Sequence, residues 1–419
     1  MNQLEQAVQY IEQGEVEKGL ELLEEREQAG TDEEKYYVAY YYQRLGLVER
    51  ALRIMEDLHT LYPDEIEFRL LLAELYVDDD REDEAIDLLS EVAEDEEGYV
   101  RTLLLLADLY QMQGLEEVAE KKLLQAQRLL PDEPIVSFGL AELYSSRGDD
   151  AKAVPYYKAL LDEHDEMGGV NLSLRLAECL SALGSWEEAI PYYEAGLQEQ
   201  ENLHSVFGYG FTLYQAQQYQ RAIPVFQKVL EQDEMSAAYV YLAECYDQEG
   251  MKQESYATWK LALEQDKMSA DLHVRFAEAA AKAGETAEAQ QALQEALALD
   301  PSHLEALLQY IHLLKEDADY ERVVELVGYA AEHGEADPQL IWELAHAKRE
   351  LEQYSEALKH YEDAYTSFKT DAVFLEEYGR FLLEEGLRAQ AREVFTQLLQ
   401  LDPTQTHIEE LLYNLEDFG

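Results

Sequence analysis

The sequence predicts an all-α solenoid: about twelve stacked helix hairpins closed by a final helix. Three observations predict it. An anchor residue recurs at Gly19, Ala51, Ala85, Ala119, Ala153, Ala189, Ala222, Ser255, Ala289, Val323, Ala357 and Ala391, small everywhere but at Val323, in steps of 32 to 36 residues that are mostly 34. Within one such unit, Leu103, Leu106, Ala107 and Tyr110 recur at helical spacing, Gly114 breaks the run, and Ala119, Leu123 and Ala126 resume it before Pro131. Neither short helix can bury its apolar face alone, so each hairpin needs its neighbours.

Taken in order, the other positions of the unit follow from the same register. Twelve residues before each anchor stands another small residue, Ala7, Ala39, Ala73, Ala107, Ala141, Ala177, Gly210, Ala243, Ala277, Ala345 and Gly379, with Ile311 as the exception. Two small residues facing each other let two helix backbones approach closely. Five before the anchor comes the turn, glycine in eight units and Asp80, Gln217, Ala318 or Glu352 in the others. Four after it come large residues such as Tyr157, Tyr193, Phe226, Trp259, Tyr361 and Phe395, and Pro63, Pro131, Pro301 and Pro403 close four of the units. Pro155, Pro191 and Pro224 share one register early in the second helix, where a missing N–H costs little.

The array is expected to span residues 1–403, with hinges near 165–170, around Gly168 and Gly169, and near 333–338, around Gly334 and Pro338. The alternative at both places is a longer turn, since the period is kept on either side. Residues 404–419 are expected to cap the last repeat. There Ile408, Leu411, Leu412 and Leu415 lie at helical spacing in a segment running from Thr406 to Phe418.

The units resemble tetratricopeptide (TPR) repeats in their small, glycine, alanine, aromatic and proline positions, over essentially the whole chain. What the resemblance implies is a right-handed superhelix whose first helices line a concave groove, with positions 2, 5, 9 and 12 of each unit facing it. The chain also resembles the acidic, soluble multi-TPR proteins of bacteria.

Ninety Asp and Glu against 32 Lys and Arg give a net charge of −58. That field repels nucleic acid and anionic membrane and favours basic partners, besides keeping a long chain soluble. Cys179 and Cys245 share a register two repeats apart, too far to bridge, which fits a reducing compartment. The first residues, MNQLEQAVQYIEQG, have neither a basic nor an apolar leader region, and no later run is long enough to span a membrane. A cytoplasmic location and no direct membrane insertion are expected.

Motifs for chemistry are weak. No phosphate-cradling glycine loop, Cys-x-x-Cys pair or His-Glu-x-x-His spacing occurs. The acidic run from Asp78 to Glu84 lacks the glycine and the terminal glutamate of a calcium loop and reads as a solvated turn. His312 and His346 share a register in adjacent repeats, with Glu278 as the one obvious third ligand; a polar lining is the plainer reading. No cofactor, metal or catalytic residue is expected.

The candidate site is therefore a face. Position 5 runs Tyr36, Leu70, Leu104, Phe138, Leu174, Phe207, Val240, Val274, Leu308 and Trp342, with Glu376 as the late exception. Position 9 runs Tyr40, Glu74, Asp108, Glu142, Glu178, Phe211, Glu244, Glu278, His312, His346 and Arg380. An apolar stripe beside a ladder of carboxylates suits a basic or amphipathic protein segment, whose cationic heads meet the acids while its stems cover the apolar side chains. Some acids have neighbours such as Arg101 or Arg175 to pair with instead. Lys315, Arg349 and Arg380 make the C-terminal part of the face a second, basic patch, and Tyr36, Tyr37, Tyr40, Tyr41, Phe207, Phe211 and Tyr214 are candidate anchors. The chaperone-tail carboxylate clamp of TPR domains is not matched, because its Lys and Asn positions mostly hold Leu, Phe or Glu here. The expected role is a non-enzymatic adaptor or scaffold; the alternatives are a regulatory sensor that captures a peptide and signals to an effector, and, least favoured, a small-molecule enzyme.

Overall fold

The computed structural model describes residues 3–96, 98–334 and 336–417. Among them are twenty-five helices and one two-stranded hairpin. The helices pair into twelve repeats, from Gln3–Glu12 with Val16–Ala29 in repeat one to Ala372–Glu384 with Arg388–Leu401 in repeat twelve, followed by Thr406–Asp417. The all-α solenoid is thus observed. No helix among the described residues is long and apolar enough to cross a membrane. The chain divides into two compact units, one up to Ser205 and one from Val206. In the first, Leu23, Val38, Tyr42 and Met55 centre one core, and Ala85, Leu89 and Leu106 centre another. In the second, Trp259, Phe276, Leu293 and Leu307 centre one core, and Tyr361, Phe374, Phe381 and Phe395 another.

Twelve turn positions were read from the register, and all twelve have positive φ. The glycines lie between 71° and 90°, and Asp80, Gln217, Ala318 and Glu352 between 55° and 59°. A left-handed residue there lets the chain leave the first helix and enter the second at once, and glycine does so with no Cβ penalty. The four other residues hold the same conformation at a cost of about 1 kcal/mol each.

Volumes are matched inside each hairpin. A Cβ on Gly210 would stand 2.9 Å from the ring of Phe226, and one on Gly379 2.5 Å from that of Phe395. Both rings come from the large-residue position four after the anchor. Where that position holds smaller Val327, its partner is the larger Ile311. Ile311, odd in the sequence, is fully buried opposite Val327 and restores the volume.

The ends and interruptions follow. Ile408 is fully buried, and Leu411, Leu412 and Leu415 pack into the last core, so the final helix caps repeat twelve; Phe418 lies outside the described residues. Pro155, Pro191 and Pro224 sit at the sixth residue of their helices, a full turn further in than a free N–H would excuse, and each helix continues through them. The long step between Ala153 and Ala189 is filled by a hairpin in which Glu166 pairs with Asn171 and Met167 with Val170. Gly168 and Gly169 turn it with φ of 57° and 81°. Of the segment 333–338, Gly334 also has positive φ, and residue 335 lies outside the described residues.

Two consequences are measurable by thermal unfolding. Ala318→Gly raises stability by about 0.5 to 1 kcal/mol, and Gly114→Ala, whose Cβ meets nothing within 4 Å, lowers it by about 1 kcal/mol through φ alone. Gly379→Ala costs about 1 to 3 kcal/mol by forcing the Phe395 ring aside, whereas Gly328→Ala, in open helix, is stabilising by up to about 1 kcal/mol.

Candidate functional site

Successive first helices lie side by side, as their side chains show. Arg101 donates to Glu67 at 2.6 Å, Gln43 to Asp78 at 2.8 Å, and Arg175 to Glu142 at 3.2 Å, each pair one repeat apart. In the second unit Lys315 meets Glu343 at 2.7 Å and Arg349 holds Glu384 through two bonds of 2.8 and 3.1 Å. The second helices make their own bonds, such as Lys158 to Glu188 and Lys260 to Glu288. First helices thus own one face in each unit, and the candidate residues stand on it.

That face is more sorted than the sequence suggested. Leu70, Leu174 and Val274 are only 3%, 5% and 1% exposed, so these three position-5 residues are packing between repeats and offer almost no binding surface. Leu104 and Val240 are half-buried. Phe138 is half-buried too, with Gly168 at the tip of the hairpin lying against its ring. Phe207, Phe211 and Tyr214 close around Tyr241, at centroid distances of 6.0, 5.3 and 5.2 Å, which makes them inter-repeat contacts as well as surface. Tyr36 stacks on Phe68 at 5.4 Å, while Tyr40 is 37% exposed.

At three places position 9 meets position 6 of the following repeat, a relation that reading one repeat at a time misses: Glu142 meets Arg175, His346 meets Glu377, and Phe211 meets Tyr241. Glu142 also accepts from the hydroxyl of buried Tyr157, and Arg175 reaches on to Glu178 at 3.3 Å. Glu244 accepts from the Tyr214 hydroxyl, and Glu278 pairs with Lys282 at 2.9 Å and Arg275 at 3.5 Å. By the same relation, the residues opposite Glu74 and Asp108 are Leu105 and Gly139, which carry no charge. Asp108 has no hydrogen bond or ion pair among the described residues. Burial raises the Asp108 carboxyl above the ordinary range. Burial does the same to Glu74, only partly offset by Arg101 and a hydrogen bond from Gln43.

The C-terminal part of the face is ion-paired, which corrects the expectation of a free basic patch. Lys315 and Arg349 hold the glutamates named above, and Arg380 holds Glu376 at 2.7 Å, with His407 of the last helix on the same oxygen at 3.0 Å. His312 is exposed, with Glu316 at 3.6 Å, and His346 is engaged by Glu377 at 2.9 Å. Among the described residues no group of three His, Cys, Asp or Glu could hold a metal ion. Cys179 and Cys245 are buried free thiols, each pushed up to about 12 by burial. A pocket of about 470 Å³ opens on this face between repeats nine and ten, floored by Ala277, Ala281, Leu308 and Leu313 and rimmed by Glu278, Lys282 and His312.

Glu377 is the densest polar node. It accepts from Tyr361 Oη at 2.6 Å, His346 Nδ1 at 2.9 Å and Trp342 Nε1 at 3.2 Å. Burial alone would raise its carboxyl; the three donors outweigh that and hold it below the ordinary value. A carboxylate depressed on folding stabilises the fold above its unfolded pKa, and that contribution is lost as pH falls through the folded value. Glu377→Gln is expected to lower stability by about 2 to 3 kcal/mol at neutral pH, with the gap to the native chain closing below about pH 4 in a series of melting curves.

Comparison with known proteins places this geometry. Family models described as YpiA-like tetratricopeptide repeats match residues 111–165 and, in their C-terminal form, 338–405. General tetratricopeptide-repeat models match 44–104, 172–203, 212–266 and 270–303. The chain is 42% identical over 415 residues to the TPR repeat-containing protein YpiA of Bacillus subtilis (strain 168), covering 99% of this chain and 98% of that one. Among solved structures it is similar to YrrB, a TPR protein with an unusual peptide-binding site, at TM-score 0.40 and 22% identity over 45% of this chain and 96% of that one. It is also similar to the APC/C hetero-tetramer Cut9–Hcn1, at TM-score 0.38 and 14% identity over 98% and 95% of the two chains.

Proposed function

This chain belongs to the YpiA-like family of tetratricopeptide-repeat proteins, and from that membership we propose that it is a non-enzymatic, cytoplasmic adaptor that holds a basic or amphipathic protein segment on the face of its first helices. Arrays of this family are protein-interaction scaffolds. The observation that carries the finer reading is the pair Glu74 and Asp108. Both are carboxylates on one face, Glu74 half-buried and Asp108 exposed, both have carboxyls raised above the ordinary range, and neither has a charged residue at position 6 of the next repeat. Half-buried Leu104 and exposed Tyr40 share that face. A cation brought there by a guest replaces lost hydration with a charge-assisted bond, and the guest's stem covers apolar surface. Glu142 and Glu178 contribute less, because Arg175 already neutralises them.

The test uses a lysine-rich amphipathic peptide and calorimetry. Glu74→Gln with Asp108→Asn should weaken binding by about 1.4 kcal/mol, roughly tenfold, and half-molar salt should weaken the native complex further. The raised carboxyls give a pH signature: below their folded pKa both are protonated and the cation has nothing to meet, so affinity falls as the solution is acidified through those values, starting at higher pH than ordinary carboxylates would give, with protons released on binding there. Binding indifferent to the double substitution, to salt and to pH would refute the reading.

A further inference from the structure

We propose that the tyrosine cluster on the first helix of repeat two, Asp32–Arg44, is an arginine-binding site; this rests on the adaptor reading and names where a guest's cation is held. Tyr36 and Tyr37 meet edge to face at 5.4 Å, and Tyr40 and Tyr41 do the same one helical turn further on, also at 5.4 Å. Four rings thus form two ledges on one helix. Two of the rings remain open, Tyr37 at 46% exposure and Tyr40 at 37%. The ledges are held in place from below, by stacking of Tyr36 on Phe68 and by full burial of Val38, Ala39 and Tyr42. A capping box fixes the start of the helix, with Thr31 accepting from the Glu34 N–H and Glu34 accepting from that of Thr31.

The rest of the chain shows what such a ledge does with a cation. Arg50 lies over Tyr42 at 4.3 Å while bonding Glu24 and Glu27 at 2.8 and 2.7 Å. Arg81 lies over Tyr76 at 4.3 Å with Glu84 at 3.1 Å. Lys260 uses Tyr256 and Glu288 the same way, but its ammonium stays 5.6 Å from the ring centre. With Lys18 on Tyr10 beside Glu15 and Lys152 on Tyr144 beside Asp149, five such sets occur among the described residues, and the two closest, both at 4.3 Å, are guanidiniums.

Repeat two has the tyrosine faces and nearby carboxylates, but its own cation, Arg44, stands far out over Tyr40 and engages none of the other three rings. Glu74 and Glu67 act electrostatically on Tyr36, and Glu12 on Tyr41. Among the described residues no cation lies over Tyr36, Tyr37 or Tyr41. Arg44 stands 5.9 Å from the Tyr40 ring, with no ion pair of its own. Arg101, the other cation in reach, is bound to Glu67 at 2.6 Å. An exposed aromatic surface with carboxylates nearby is complementary to a group that is flat, apolar on its faces and positive, and that description is a guanidinium.

The experiment compares two twelve-residue peptides of equal charge, leucine alternating with arginine or with lysine, by calorimetry against the full chain. The native chain should bind the arginine peptide roughly fivefold tighter than the lysine peptide. Tyr37→Leu with Tyr40→Leu should erase the preference, and Tyr37→Phe with Tyr40→Phe should keep it, since phenyl rings preserve the π face. Both positions are solvent-exposed, and circular dichroism checks that the variants fold. Equal affinity of the two peptides for the native chain, or a preference that survives the leucine substitutions, overturns the arginine site while the adaptor reading stands. If neither peptide binds the native chain, the adaptor reading falls and the site with it.

Discussion

The structure depends on the close approach of two helices within each hairpin, set by one small residue facing one large one. Gly379 admits the Phe395 ring, Gly210 admits Phe226, and Ile311 fills what Val327 leaves. The near-constant repeat length keeps register, and at three places register brings position 9 of one first helix to position 6 of the next. The polar chemistry of the face is therefore a consequence of the register that the hairpins keep.

Charge is distributed by that register. The chain carries 58 more acidic than basic side chains, yet its few cations are concentrated where they face acids across a repeat boundary. Arg175 serves Glu142 and Glu178, Lys315 serves Glu343, and Arg349 serves Glu384. Such pairs are partly exposed and contribute modestly to stability, but they decide which acids remain open to a guest. Where position 6 is Leu105 or Gly139, the acid opposite is left with water and apolar surface. Where it is Glu377, the carboxylate instead gathers Tyr361, His346 and Trp342 into a network internal to the fold.

Most of the fold was legible because it is local. Small residues, turn residues and large residues recur within one 34-residue unit, and each has a physical reason that holds wherever the unit lies. Even the four turns without glycine were placed correctly, since the register, not the residue type, marks the αL position. The face was only half legible. That Glu142 stands on it follows from helical periodicity; that Arg175 neutralises it requires knowing which residue of the next repeat comes opposite. Leu70, Leu174 and Val274 look like neighbouring Leu104 in sequence, and only the distance to the adjacent repeat makes them core. The hairpin from Glu166 to Asn171 was visible as two extra residues and two glycines, while its resting place against Phe138 is a tertiary fact with no sequence signal.

The relation between positions 9 and 6 turns an absence into information. In a chain with so many acids, a carboxylate at position 9 says little by itself, because composition alone supplies many of them. A carboxylate whose opposite residue carries no charge says more, because the protein then offsets its desolvation at most in part and a guest's cation can relieve the rest. Tyr37 and Tyr40 extend the same logic from charge to shape, since rings of the kind that elsewhere in the chain hold Arg50 and Arg81 stand here exposed, with carboxylates nearby. Interaction surface in such an array is thus located where the repeats stop completing one another, and in the first unit that condition is met from repeat two to repeat four.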